Sequence, residues 1–465
     1  MFANVIGSLS RGMSALVLIA ASCLVTAPAV AEIGSYIVVD AKTGDVLDEK
    51  DATRQWYPAS LTKMMTAYVA FKAIKEGRAK LTSTVTQSAN SLSEPPSKMG
   101  FKVGTTLTVD AALKIIMIKS ANDVAVALGE AIAGSEAAFI AMMNAEAQRL
   151  GMRDTVFVNP HGLPDNRQVS TARDMAILAM ALREDFPEAR NYYRHPGLKF
   201  GKKTLRSANR EFLLRVPGAD GMKTGFICNS GYNVAASATR RGRTIIAVVL
   251  GAASGLERIA FTREALDKGF KKRSGSANVA TMRGKGGNPP ADRYCKRNAK
   301  PGAEGIMARY DMKNSRSNLL SFGAGREPGS VIIPGLRTST GDKELPGGSV
   351  KLPNGKIDWG KVMDRTIGPV RVAYAPIVVT TGVPAGSTAP AAADNVMAAP
   401  VVDESVPLPV ANPVRLVSAS EALPETATES APAGKVSAND NRAPGSLFRK
   451  GAGFSVPVPQ PSPSN

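Results

Sequence analysis

The stretch that most constrains this chain is Tyr57-Pro58-Ala59-Ser60-Leu61-Thr62-Lys63-Met64-Met65-Thr66. Proline lacks an amide hydrogen and fixes its own φ, so Pro58 fits only at the entry of a helix. Beyond it Leu61, Met64, Met65, Tyr68 and Val69 recur at intervals of three and four, which predicts a helix over residues 60–77 with one buried face. Ser60 then stands in the first turn, at the positive end of the helix dipole. Lys63, three residues on, shares its face and can reach the Ser60 hydroxyl.

A serine hydroxyl attacks poorly unless a neighbour takes its proton. Lysine can do so only when neutral. With an ordinary pKa of about 10.4, roughly one lysine in a few thousand is neutral at pH 7, so a useful base needs a downward shift of about three units. Burial against the apolar helix and a second cation nearby would supply it. For this spacing alone, a capping serine and a solvated lysine are the simpler account, because Ser-x-x-Lys arises by chance in many chains.

The ends of the 465-residue chain differ from its middle. Arg11 precedes an apolar run over residues 13–25, and Ala29-Val30-Ala31 is a small-x-small cleavage pattern before Glu32. Residues 1–31 therefore read as a secretory signal, an uncleaved anchor being the alternative. Cys23 falls inside that run, which leaves Cys228 and Cys295 as one bridge or two free thiols. The net charge of +19 suits anionic surroundings, while export argues against nucleic acid. Anionic envelope polymers or a membrane surface are the partners expected of the basic tail. His161 and His195 are the only histidines, too few for a His-rich zinc site, and no metal or cofactor is expected.

Two short strands around Lys42-Thr43-Gly44-Asp45 predict an opening hairpin. Thr108 or Asp110 caps a helix bearing Leu113, Ile116 and Met117, which ends at Lys119-Ser120-Ala121-Asn122-Asp123. A second apolar helix starts at about residue 124, so Ser120 and Asn122 occupy a polar break that either caps a helix or faces a cleft. Helices follow over 135–150 and 171–182. Residues 234–238 and 244–250 then flank Arg240-Arg241-Gly242-Arg243 as a tight hairpin, preceded by Asp220-Gly221-Met222-Lys223-Thr224-Gly225-Phe226. Two glycines around Lys223 and Thr224 suit a strand that something else approaches closely. A helix over 256–270 closes the unit. Strands at both ends with helices between imply an α+β domain over 32–275, its antiparallel sheet built from both ends and a helical cluster on its face. Residues 276–378 read as a basic Gly/Pro-rich linker or small β module, and 379–465 as an Ala/Val/Pro/Ser-rich disordered tail.

Taken in order, Ser60-x-x-Lys63, Ser120-Ala121-Asn122 and Lys223-Thr224-Gly225 form the trio found in penicillin-binding proteins and serine β-lactamases. With Asn159-Pro160-His161-Gly162-Leu163 and the flanks of each motif, residues 32–273 resemble the low-molecular-mass serine D-alanyl-D-alanine carboxypeptidases. The resemblance implies a β-lactamase-like fold and substrates that are peptidoglycan stem peptides ending in D-Ala-D-Ala, with β-lactams as covalent inhibitors. It implies Ser60 as nucleophile, Lys63 as base, Ser120 as proton relay and Asn122 as the group holding Lys63 and substrate. The Ser60 and Phe226 N–H groups would stabilise the oxyanion. Lys223, Thr224 and Arg258 would receive the terminal carboxylate, with Gly225 and Phe226 also binding substrate, although Arg258 also reads as a surface helix arginine.

Phe226 stands where family carboxypeptidases often carry histidine, as in some endopeptidases that cut crosslinks. Endopeptidase action is therefore the first alternative. A class A β-lactamase needs a glutamate on a loop before Lys223; Glu184 and Glu188 are the nearest, and neither has the Glu-x-x-x-Asn setting. A non-catalytic peptidoglycan-binding scaffold is the third reading, against which stands the full set of nucleophile and bases.

Overall fold

Alternating apolar residues at both ends of the domain build its sheet. The computed structural model describes residues 33–312 and 350–390 except 276, 285, 299, 353 and 373, so the signal segment and residues 391–465 lie outside the described residues. Strands β1 (Ser35–Asp40) and β2 (Asp45–Lys50) form the expected hairpin. Gly44 takes φ +73° in its turn, a conformation that a side chain would strain.

Two small ribbons flank the helical half. One pairs β3 (Thr84–Thr86) with β4 (Thr106–Thr108), the other β5 (Gly197–Phe200) with β6 (Lys203–Arg206). The chain then enters β7 (Ala219–Ile227), β8 (Gly231–Arg240) and β9 (Arg243–Ala252). β9 pairs antiparallel with β1, setting Tyr36 opposite Val249, so the first and last strands of the domain close one sheet. Together with β10 (Ala277–Asn278) the order is β10-β2-β1-β9-β8-β7.

The strands' period of two sends side chains to two cores. Ile37, Val39, Ile246 and Val248 face the helices Lys63–Lys75, Val109–Ile118, Asn122–Ala133, Glu136–Arg149 and Ala172–Asp185. Val38, Ala247 and Val249 face helix Gly255–Lys271 through Ile259, Ala260 and Leu266. Side-chain caps start these helices: Thr108, Ser135, Thr171 and Ser254 each accept an N–H from three residues on. Of the two cap candidates at the helix after β4, Thr108 serves, while Asp110 sits in the first turn paired with Lys114.

Helix Lys63–Lys75 departs from expectation. It is buried on every side from Lys63 to Phe71, because it threads the middle of the helical layer and has no solvent face there. Among the described residues no single helix is long and apolar enough to cross a membrane.

Beyond residue 275, where composition predicts a linker or small β module, the described chain packs on the body of the domain. β10 adds to β2, and the Arg173 guanidinium donates to Val279 O and Ala280 O. Cys228 and Cys295 form a disulfide, deciding between the two states left open. Ile306, Tyr310 and Ile367 complete the second core, and β11 (Ile377–Val379) pairs in parallel with β5. Ala303, Val350 and Val362 form a small third cluster against Leu256, while Ile357, Trp359 and Val378 stay exposed, so the segment adds to the domain more than it builds a core of its own. Of the two short apolar runs in this segment, 331–333 lie outside the described residues, and Val370, Arg371, Val372 and Tyr374 are in no strand.

Candidate active site

Pro58 delivers the chain into a single 3-10 turn, Ala59–Thr62, before helix Lys63–Lys75 begins. Ala59 takes φ +51°, and its side chain is buried beneath the turn. Ser60 is partly exposed, whereas Lys63 is fully buried.

The Lys63 ammonium nitrogen has three near neighbours. Ser60 Oγ lies at 3.1 Å, and Asn122 Oδ1 and His161 O each accept at 2.7 Å. A neutral amine has two N–H bonds and one lone pair. With Asn122 and His161 taking the two N–H bonds, the lone pair is left for the Ser60 hydroxyl. Burial holds the Lys63 pKa well below the usual lysine range, and the Lys223 cation lowers it further; the Glu94 and Asp123 carboxylates act the other way.

The second motif completes one wall. Ser120 sits at φ +67° between helix Val109–Ile118 and helix Asn122–Ala133, and its Oγ accepts from Lys223 Nζ at 2.8 Å. Asn122 Nδ2 donates to Pro95 O at 2.9 Å, which turns its Oδ1 towards Lys63. Asp123 fixes the adjoining loop by accepting from Met99 N and Gly100 N.

β7 forms the opposite wall. Gly225 passes so close to the nucleophile turn that a Cβ there would stand 2.9 Å from Pro58 O and 3.0 Å from Ser60 N, which explains the glycine flanking Lys223 and Thr224. Burial and the Arg258 guanidinium push Lys223 down to about 7. Arg258 is buried rather than on a surface helix face. It donates to Ala208 O, while its Nε has no hydrogen-bond partner among the described residues, and burial lowers it to about 10. Two buried cations side by side, one with an unspent donor, form a seat for a carboxylate. Phe226 is 47% exposed at the rim, its ring 4.4 Å from Tyr232.

The turn at Asn159-Pro160-His161-Gly162-Leu163 contributes groups that residue-level reading had not assigned. Pro160 O accepts from Thr66 Oγ1 and His161 O from Lys63, while Asn159 Oδ1 accepts the Gly162 N–H. Gly162 takes φ +87°, and a Cβ there would fall 1.8 Å from Ala59 O. The motif itself was the available signal, since Asn-Pro-x-Gly is turn chemistry. Glu94 gave no such signal, being one acidic residue in a polar stretch.

Glu94, Glu136 and His161 bring one ligand-type atom each within 4.8 Å of one another. The Leu163 N–H donates to His161 Nδ1 at 3.1 Å, so Nε2 carries the imidazole proton and points at Glu94, 3.2 Å away. Nε2 is thus a donor here and offers no lone pair to a cation. Glu184 and Glu188 are exposed and lie by Asp185, whose carbonyl meets Lys75 at the far end of the helix from Ser60. Neither can activate a water there.

A buried lysine within hydrogen-bond reach of a partly exposed serine is the arrangement of the Ser-Lys variants of the catalytic triads. The family described as D-alanyl-D-alanine carboxypeptidase, a serine peptidase family, matches residues 23–254, and the chain belongs to it. It is 40% identical over 260 residues to the D-alanyl-D-alanine carboxypeptidase DacC of Escherichia coli, an alignment covering 54% of this chain and 64% of that one. A D-alanyl-D-alanine endopeptidase of Pseudomonas aeruginosa is 30% identical over 228 residues, covering 47% and 71%. Among solved structures, penicillin binding protein 5 of Haemophilus influenzae matches with TM-score 0.50 and 35% identity, over 53% of this chain and 73% of that one. The chain spans 60 to 64% of the length of the first three curated carboxypeptidases it matches.

Proposed function

We propose that the chain is a serine-type D-Ala-D-Ala carboxypeptidase of the cell envelope that removes the terminal D-alanine from peptidoglycan stem peptides. The observation that carries this is the Lys63 environment, two carbonyl acceptors and one hydroxyl around a buried amine. Neutral Lys63 takes the Ser60 proton as Oγ bonds to the carbonyl carbon between the two D-alanines. The oxyanion forms against the Ser60 and Phe226 N–H groups, donors of a kind that each contribute roughly 3 kcal/mol. Ser120, bonded to Lys223, relays the proton taken up by Lys63 to the leaving amine; the C–N bond breaks, D-alanine departs, and water, giving a proton to the again neutral Lys63, hydrolyses the ester so that Ser60 recovers its hydrogen.

Lys223, Thr224 and Arg258 receive the terminal carboxylate. A lysine near its midpoint at neutral pH gains its full charge when a carboxylate docks, so recognition and protonation are coupled. A β-lactam, with a carboxylate beside a strained amide, would acylate Ser60 by the same route; the penicillin-binding neighbour in Haemophilus supports this reading.

Intact-protein mass spectrometry with and without penicillin, followed by assay of a pentapeptide stem, tests the proposal. One acyl adduct on Ser60 with release of D-alanine is the expected result. The exposed Phe226 and the endopeptidase relative favour a second reading, DD-endopeptidase action on crosslinks. An adduct with cleavage of crosslinked dimers, and no D-alanine from pentapeptide, would select it. No adduct at all would overturn both and leave a scaffold.

A further inference from the structure

Lys63 works as a base only if its two acceptor oxygens stay where they are, and both are held by one dipeptide. Pro95 O accepts from Asn122 Nδ2 at 2.9 Å, so the amide presents Oδ1 to Lys63. One residue earlier, the Glu94 carboxylate lies 3.2 Å from His161 Nε2. Its ring is gripped from both sides, by Glu94 at Nε2 and by the Leu163 N–H at Nδ1, and the carbonyl of the same residue accepts from Lys63. Gly162, which follows that carbonyl, passes so close to the Ser60 turn that a Cβ on it would fall 1.8 Å from Ala59 O.

We infer that Glu94 is a positioning residue for the catalytic base, acting through His161 to aim the second acceptor oxygen. This deepens the proposed acyl-transfer reading and rests on it. The charged groups facing Lys63 are Lys223 from β7, Asp123 from helix Asn122–Ala133 and Glu94 from the loop before the second motif. Those facing Glu94 are His161, Lys63 and Lys98, with Glu136 alongside. Its carboxylate holds a proton on Lys63 that acylation needs removed. Glu94 therefore trades some basicity control for geometry.

Because the two effects have opposite signs, they can be separated. In Glu94→Gln the side-chain oxygen still accepts from His161 but the charge is gone. Acylation by a fluorescent penicillin, which rises with pH as Lys63 loses its proton, should shift its acid limb to lower pH by about half a unit or more. In Glu94→Ala the anchor is lost as well, and the plateau rate should fall about tenfold, with Glu94→Asp recovering part of it. Thermal melts of each variant separate misfolding from mispositioning. Variants that label with the wild-type pH profile and plateau overturn the inference, as does a limb that moves to higher pH in Glu94→Gln. A wild-type chain that takes no label sinks the acyl-transfer reading, and this inference with it.

Discussion

At the residue scale, the site is assembled from groups whose natural charge is suppressed. Lys63 and Lys223 are both buried, and both lose proton affinity to desolvation first and to a neighbouring cation second. The unfolded chain keeps Lys223 protonated up to about 10.5, whereas the folded chain releases that proton near 7. Between these values the unfolded state binds more protons, so stability rises with pH across that window and the burial cost is fully present below it. Lys223→Met should therefore raise the melting temperature at pH 6 to 7 by a few degrees and flatten the climb towards pH 10, while carboxylate-bearing peptides lose at least about tenfold in kcat/KM. A variant that melts lower than wild type at pH 7 would refute the suppressed charge. Ser60→Ala should remove all covalent penicillin adduct with the fold intact, and an adduct that persists would move the nucleophile elsewhere. Lys63→Met should cut acylation at neutral pH by about a hundredfold or more.

At the element scale, two glycines decide whether separate segments can meet. Gly225 lets β7 run against the Ser60 turn, and Gly162 lets the turn at 159–163 press its carbonyls onto the same loop. Gly225→Ala should keep the β7 ladder but displace Pro58 and Ser60, lowering the acylation rate more than the melting temperature. An unchanged rate would mean that the nucleophile turn yields freely. The disulfide belongs at this scale too. It follows β7 directly, and Cys295 N also bonds Cys228 O, while Tyr294 packs edge-on against Trp56, four residues before Ser60. Cys228→Ser should lower stability by roughly 2 to 5 kcal/mol, read from denaturant midpoints against the wild type under oxidising conditions.

At the scale of the whole molecule, the chain after residue 275 is part of the domain wherever it is described. It contributes β10, the disulfide, two helices on the second core and β11, and it returns to the helical half, where Thr388 O accepts from Thr84 N. A chain ending at 275 should expose the apolar surface under Ile306 and Tyr310 and melt lower or aggregate, whereas one ending at 390 should acylate at the wild-type rate. Equal melting temperatures for the two would show that the straps add nothing. Composition alone pointed the other way, because a stretch poor in apolar residues reads as unable to fold. What it cannot build by itself it can still complete on a neighbouring surface.

The elements were legible because each is a local property. The period of three and four over residues 60–77, the cap before 109 and the hairpin at 240–243 follow from residues close in sequence. So does the ordered trio of motifs, whose spacing along the chain carried the family and hence the choice of Ser60, Lys63, Ser120, Asn122 and Lys223 as candidates. Sequence by itself therefore determined the two hairpins, the main helices up to residue 271 and the chemical types available at the site, while the ribbons β3 to β6 and the elements after residue 275 were not legible in it. Only the tertiary structure decided what faces what. It buried the Ser60 helix on all sides, brought Arg258 inward to Lys223, joined Cys228 to Cys295 and set Glu94 against His161. Each of those pairs is separated by 35 residues or more of chain. Proton affinity and the aim of a lone pair depend on desolvation and on neighbours at about 3 Å, quantities that exist only once distant segments have packed.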